Sequence, residues 1–520
     1  MKILFIVSAC FIFPTVTRAA VICAPSFSEV TTASFYPLTY ALETFTSPYT
    51  FSDTIKRTHQ TQSIIAINPI ACNLTDRSYT IKDKAQMVRI ADFAATRQIA
   101  AALPTKKPVN ITASGSSFAH SLAVASQNYV TPEQFGALGD GSTNDTAAIM
   151  KAISTRHRVH LGPKTYAVTR IVLTNPTRIE GTSRNLTTIK GLKADGDVIF
   201  ADTQGYDIRD MTIDRAVPAT SGSGININNN ASGILKNVVS QNHRNGFIFG
   251  ATAASQAYNL VAQFNYSTGI VVTTSADSEA AQWTFRDVIS QMNDGLGWSF
   301  WAVANSSGPN QTGPSLYNCG SYANSDGGWS FSGDAHTAWN DINTYEIYSS
   351  FDNGNGIAFH NPGANNQFLG TFVEFTGAAA TGRKHQKAAT NTGSGILFIN
   401  SGNVDSYITL SGTVQFNAEQ GLLIAPTSKL AHLILTGFTA RDNGASGSGA
   451  SGIDIESSAT RVVMSAILSV NMVTKHQNYG LMSSPSAAPN VFLYGGDLHG
   501  NAISAVNSPT SSFGAFQAAQ

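Results

Sequence analysis

The chain has 520 residues with 32 basic and 32 acidic side chains, a formal net charge of zero. Only 12% of residues are charged and 42% are hydrophobic, against about 25% charged in an ordinary globular chain. That balance excludes a disordered chain, which needs high charge and little apolar content, and it argues against nucleic acid as the main partner. Gly, Ser, Thr, Asn and Ala stand in for the missing charge and favour strands and turns over long surface helices.

In chain order, Lys2 precedes an apolar run from Ile3 to Phe13, with small Thr17 and Ala19 after it. Residues 1–20 read as a secretory signal, too short to span a membrane. The expectation is a secreted, extracellular or periplasmic protein, without a membrane partner once the signal is removed. Cys10 leaves with the signal and Cys319 stays alone. Cys23 and Cys72 either pair in an oxidising compartment or remain free. Residues 21–128 read as a separate N-terminal region, with a helical stretch near Lys84 to Ala102 and a linker from Lys106 to Gln127.

From Tyr129 the texture changes. Asp140-Gly141 forms a turn, and Asn144 or Asp145 caps a helix whose apolar face is Ala148, Ile149 and Ile153. The segment VHLGPKTYAVTRIVL reads as short strands around a Gly-Pro turn.

Then a repeat emerges. Glycine followed by an apolar residue recurs at Gly224, Gly246, Gly269, Gly297, Gly328, Gly356, Gly395, Gly421, Gly452 and Gly480, at irregular intervals. The third residue after each glycine is also apolar, except Ser483. Alternation puts both columns on the inner face of a strand. Four residues before the glycine stand Asn242, Asn265, Asn293, Asn324, Asp352 and Asn417, a stack in which each amide can donate and accept between coils. The pattern predicts an all-β parallel β-helix of about ten to twelve coils over residues 129–510, with a capping helix, a small N-terminal region and a tail at 511–520.

FGALGDGSTNDTAAIMKAI (135–153), with HLGPKTYAV (160–168), resembles the opening of the pectate-lyase-like, right-handed single-stranded parallel β-helix superfamily, found in secreted pectinolytic enzymes and phage tailspike depolymerases. The resemblance implies this fold and a carbohydrate-active protein. It supplies no catalytic residue, because neither an NTD…DD…GHG…RIK set nor a WxDH segment is present; Leu498-His499-Gly500 is the nearest piece. Tailspike relatives are trimers, which makes a homotrimer an open expectation.

A coil stack offers a long ruled surface to an extended polymer. On the coils of Gly297, Gly328 and Gly356 the outward positions are small, Ser299 and Ser330, or carry Trp301, Ser332 and His360; a Trp offers a flat face to a sugar ring. Candidate catalytic groups are Asp294, Asp326, Asp334, His336 and Glu374, since glycosidic hydrolysis needs paired carboxyls and a strand carboxyl among apolar neighbours suits a general acid. Arg383 and Lys384, with His385 and Lys387, form a cationic loop suited to an acidic sugar. No metal ligand set is seen and no cofactor is expected, with a calcium requirement left open. The expected function is cleavage of a polysaccharide, by hydrolysis or by β-elimination. The alternative is a non-catalytic, adhesin-like carbohydrate-binding β-helix.

Overall fold

The structure, a computed structural model, describes residues 129–513 apart from 156–157, 275–280, 303–309, 334–337, 361–362, 378–391, 400–405, 429, 446–449, 473–476 and 508–512, together with the strand Ala515–Ala519 and five short strands before residue 129. The chain divides into two compact units, Met1–Val130 and Thr131–Gln520. In the first, Leu38–Ala41 pairs antiparallel with Thr32–Phe35 and parallel with Lys2–Ile3. Asn110–Thr112 pairs antiparallel with Ala119–Ser121, which places a hairpin inside the segment expected to be a linker. The remainder of the expected leader, the stretch at 84–102, and Cys23 and Cys72 lie outside the described residues.

The second unit opens with the helix Thr146–Thr155, whose buried face is Ala148, Ile149, Ala152 and Ile153. Two neighbouring side chains divide the work at its start. Asn144 Oδ1 accepts from Thr146 N (3.1 Å) and caps the helix. Asp145 is buried and its carboxylate accepts from Leu138 N (2.8 Å) and Gly139 N (3.1 Å), pinning the entering loop. Asp140 accepts from Ser142 N and Thr143 N, and these donors hold its carboxyl below the usual carboxylate range. Both aspartates are structural here.

Beyond the helix the chain winds into a parallel β-solenoid with two sheets along its length, of 13 and 21 strands, called sheet A and sheet B below. Each coil gives sheet A one short strand in sequence order. The glycine-marked strands are joined by Ile171–Leu173 and Ile199–Ala201 before them and Ser504–Val506 after them, which carry no such glycine. That is why the stack runs slightly longer than the repeat suggests. The strand Ala515–Ala519 lies in register with Val491–Asp497, so pairing continues into the expected tail.

The core is the pair of apolar columns read from the sequence. Trp298 and Trp329 are fully buried and stack at 4.6 Å, and Phe300, Phe331, Phe359 and Phe398 form a second pile with successive separations of 4.6, 5.2 and 4.7 Å. Each such side chain contributes roughly 1.5–3 kcal/mol on burial. The indoles are not left polar at one end: Trp298 Nε1 donates to Gly320 O and Trp329 Nε1 to Tyr348 O, both at 2.9 Å.

The glycine and asparagine columns turn out to be one device. A Cβ on Gly297 would lie 2.1 Å from Ser321 Oγ and 2.8 Å from Asn324 Nδ2 of the next coil. A Cβ on Gly269 would collide in the same way with Ser290 and Asn293. Glycine is therefore required by space, not by backbone angle. Into that space runs a ladder in which Asn265 Nδ2 donates to Asn293 Oδ1 (2.8 Å), Asn293 to Asn324 (2.8 Å) and Asn324 to Asp352 (2.9 Å). Each backbone N–H of the same residues donates to the same oxygen. Asn242 does not belong to this ladder. It has φ 64° and donates to Asp214, and His243 takes the slot, donating its N–H to Asn265 Oδ1 (3.0 Å).

Each coil bends within sheet B at a left-handed residue, and a second one, such as Phe264 or Met292, ends the sheet B strand. The bend column contains Asp210, Asn237, Asn259, Asp287, Asn318 and Glu346, with φ from 49° to 60°. Asn and Asp are the side chains that tolerate this conformation most readily, and Asn318 Nδ2 donates across the coil to Asp287 Oδ1 (2.7 Å).

Candidate functional site on the outer face of sheet A

Strand alternation gives sheet A two outward rows. In the first, Val271, Ser299, Ser330, Ala358, Leu397, Leu423, Asp454 and Met482 are neighbours on successive coils. Two residues further along the chain lies the second row, with Thr273, Trp301 and Ser332 in register and His360 beside Ile399. Ser299, Ser330, Trp301, Ser332 and His360 thus share one face. Trp301 is 47% exposed with its ring free of the core. Ser332 Oγ donates to Phe300 O (3.2 Å). Half-burial holds the His360 imidazole below its ordinary pKa, favouring the neutral ring. The outward aliphatics Ile248, Val271, Leu397 and Leu423 are half-buried.

The candidate acids distribute differently. Asp294 and Asp326 lie on the turn that leads into sheet A, on adjacent coils. Asp294 N donates to Asn265 O (2.9 Å) and Asp326 N to Gly295 O (3.1 Å), so they stand one place out of column. Gly295 and Gly354 flank Asp326 in its own column, where a Cβ on Gly354 would lie 2.6 Å from Asp326 O. Trp301, near the other end of its strand, is on the order of 20 Å from that turn at about 3.3 Å per residue, so acids and tryptophan do not meet. Glu374 faces out from sheet B, where it accepts from Ser350 Oγ (3.0 Å) and Gln415 Nε2 (2.9 Å), in a polar row that Arg441 extends. It shares no groove with Trp301. Asp334, His336, Arg383 and Lys384 lie outside the described residues.

The sequence reading passed over the acids that do sit on the face. Asp454 occupies the first row and Glu456 follows it by two residues; Glu456 N donates to Ile424 O (3.0 Å), which continues the strand register past Ile455. The Asp454 side chain is fully buried, and neither carboxyl oxygen has a hydrogen-bond partner. Gln420 is the polar side chain that approaches it, with its own Oε1 taken by Ser394 Oγ (3.2 Å). Burial first, and then the negative charge of Glu456, push the Asp454 carboxyl up to about 7. Glu456 itself is half-exposed. The signal was available: in the first row Asp454 stands between Leu423 and Met482, a carboxyl in an aliphatic setting. Among the described residues no cluster of three or more His, Cys, Asp or Glu side chains is placed to hold a metal ion. Cys319 is buried, its thiol pushed up to about 12 by desolvation.

The coil register defines a parallel β-solenoid protein. No family model matches the chain, and no curated protein matches it. Similar solved structures include the A-module of a mannuronan C-5 epimerase from Azotobacter vinelandii, at 17% identity over 75% of this chain and 99% of that one, with a TM-score of 0.44. Tailspike protein 3 of bacteriophage CBA120 is similar at 14% identity over 78% of this chain and 64% of that one, with a TM-score of 0.45. The catalytic unit of an alpha-1,3-glucanase from Streptomyces thermodiastaticus is similar at 13% identity over 74% of this chain and 66% of that one, with a TM-score of 0.45. At these identities the likeness does not extend to a reaction.

Proposed function

We propose that the protein hydrolyses an extended polysaccharide lying along the outer face of sheet A, with Asp454 as general acid and Glu456 as general base. The observation that carries this reading is the pair itself: two carboxyls on one strand face, one of them kept protonated near neutral pH by burial and by the charge of the other. A carboxyl raised by burial beside a second carboxyl marks a candidate general acid. Alternate residues on a strand lie about 6.7 Å apart, within the range of about 6.5–9.5 Å that leaves room for a water and gives inversion. Trp301, in the row of Glu456, is five coils away, about 24 Å at the coil spacing. A chain of several sugars spans that distance, stacking on the indole at one end and meeting the acids at the other. Such polymers are met outside the cytoplasm, in keeping with the leader-like opening of the sequence.

The complete burial of Asp454 favours a second reading, in which the face binds glycan without turning it over. Incubation with neutral and uronate polysaccharides separates the two. New reducing ends that fall at least about 100-fold in Asp454→Asn and Glu456→Gln, with the fold intact by circular dichroism, support hydrolysis. An unsaturated uronate product, full activity in Asp454→Asn, or binding with no product at all would each sink it.

A further inference from the structure

Sheet B carries a surface that neither the repeat nor the sheet A face accounts for. On the strand segments before its bend, Lys236, Tyr258, Arg286, Tyr317 and Tyr345 follow one another on consecutive coils and all face outward. They form one stripe of alternating cationic and aromatic groups along the stack. The Arg286 guanidinium lies 5.0 Å from the Tyr317 ring centre, and Tyr317 and Tyr345 are parallel within 6° at 5.1 Å. Lys236 and Arg286 are exposed and neither forms an ion pair among the described residues. The nearest acid in sequence, Asp287, is engaged by Asn318, and Asp207 is engaged by Arg209.

A cavity of about 490 Å³ adjoins the stripe, lined by Ser232, Gly233, Ile234, Gln256, Gln282 and Thr284 among others. Ile234, Gln256 and Thr284 precede Lys236, Tyr258 and Arg286 by two residues, so cavity floor and stripe are parallel rows on one face. Gly233 pairs with the buried Tyr206, and a Cβ there would lie 2.1 Å from Tyr206 O, so glycine is required beneath the cavity floor.

We infer that this face is a second glycan-binding site, separate from the sheet A face, for an acidic oligosaccharide whose carboxylates pair with Lys236 and Arg286. With Arg286 and Tyr345 against the two faces of the Tyr317 ring, the stripe turns tyrosine edges and hydroxyl groups outward as hydrogen-bond partners for sugar hydroxyls, guanidinium forks match carboxylates, and the amide and hydroxyl lining of the cavity suits the hydroxyl groups of one sugar unit. The coil spacing of about 4.8 Å is close to the length of a pyranose unit, so successive coils can read successive sugars. Single-stranded nucleic acid also uses stacking with cations. Two cations without an ion-pair partner among the described residues, in a chain of zero net charge, give it too little counterion release.

The test is a calorimetric titration of the full chain with an oligogalacturonate, a neutral cello-oligosaccharide and single-stranded DNA. The inference expects salt-sensitive binding of the oligogalacturonate that weakens about tenfold in Arg286→Gln, the loss of roughly one charged contact, and also weakens in Tyr317→Ala, with any sheet A activity unchanged. Unaltered affinity in the Arg286→Gln, Tyr317→Ala double variant overturns it. So does tighter binding of the DNA, or a loss of self-association in the double variant by sedimentation, which would make the stripe a contact between copies.

Discussion

The hydrogen-bonded ladder changes character at Thr376. Before it, from Asn265 to Asp352, every step is a short pair of bonds to one oxygen, at 2.8–3.0 Å. After it the rungs are Asn417, Asn443, Gln477 and Asn501, and several bonds lengthen to 3.3 Å. The first half ends in a carboxylate for a physical reason. Asp352 only accepts, from Asn324 above and from Ser349 Oγ (2.6 Å), and the Thr376 hydroxyl that follows is already donated to Gly393 O (2.9 Å). An asparagine at 352 would carry an extra donor toward a coil that offers it no ladder amide. Burial raises the Asp352 pKa. A ladder of identical residues is stiff and regular; a ladder of mixed residues accommodates insertions of different length between its rungs.

The sharpest way to break this contrast is to remove one rung from each half. Asn293→Ala strands the backbone and side-chain donors of Asn265 in the core, and we expect a loss of about 5 kcal/mol, at about 1–3 kcal/mol per buried unsatisfied group. Asn443→Ala removes one short bond, from Asn417 Nδ2 (2.8 Å), and one long one, from Asn417 N (3.3 Å), and should cost about 3 kcal/mol on the same scale. Equal losses in chemical denaturation would show that the two halves are equivalent.

Next in size is the response to pH, where the two regions should oppose each other. His243, at the head of the first half, is held neutral, with Arg215 Nε donating to its Nδ1 (3.2 Å) and its pKa pushed down to about 3 by burial and by that guanidinium. Its contribution is present above the ordinary value of 6.5 and is lost as pH falls from there towards about 3. Asp454, in the second half, has its pKa pushed up from 3.8 to about 7. Its contribution is present at low pH and is lost as pH rises between those values. Each shift is worth at most about 5 kcal/mol at 1.36 kcal/mol per unit. The two windows overlap between pH 3.8 and 6.5, where their slopes offset each other, so thermal melts should show Asp454→Asn uncovering a rise of stability with pH across that span; an unchanged profile in the variant would refute the assignment.

The smallest effect should come from Trp301→Ala. A half-exposed ring outside the core should change stability by less than about 0.5 kcal/mol, while weakening glycan retention on the sheet A face several-fold. A large stability loss would mean that the ring is part of the packing.

The fold was legible because the glycine column, the apolar columns and the amides are three views of one packing requirement, repeated coil after coil. Legibility ended where that spacing ended. Asn242 took the column position by counting, but the left-handed backbone there hands the rung to His243. Asn443 and Gln477 do not keep the distance to glycine held by Asn265 and Asn293, so they could not be seen as rungs. Trp301, Ser299 and His360 fell on the expected face because strand alternation alone decides it. The acids were harder: Asp294 and Asp326 belong to a turn whose columns shift by one residue, and Glu374 belongs to the other sheet. The stripe from Lys236 to Tyr345 stands one residue before the Asn and Asp column of the sheet B bend, a column that counting from the glycines does not bring into register; the coil register assembles it.

The stacked indoles of Trp298 and Trp329 have a consequence outside energetics. Two near-parallel chromophores at 4.6 Å and 10° couple their electronic transitions, which shifts their common absorption to shorter wavelength. Most of the other large core rings are phenylalanines, which absorb weakly by comparison. The middle of the solenoid therefore carries its own optical label, and an opening of those coils alone would erase that shift while both ends kept their structure.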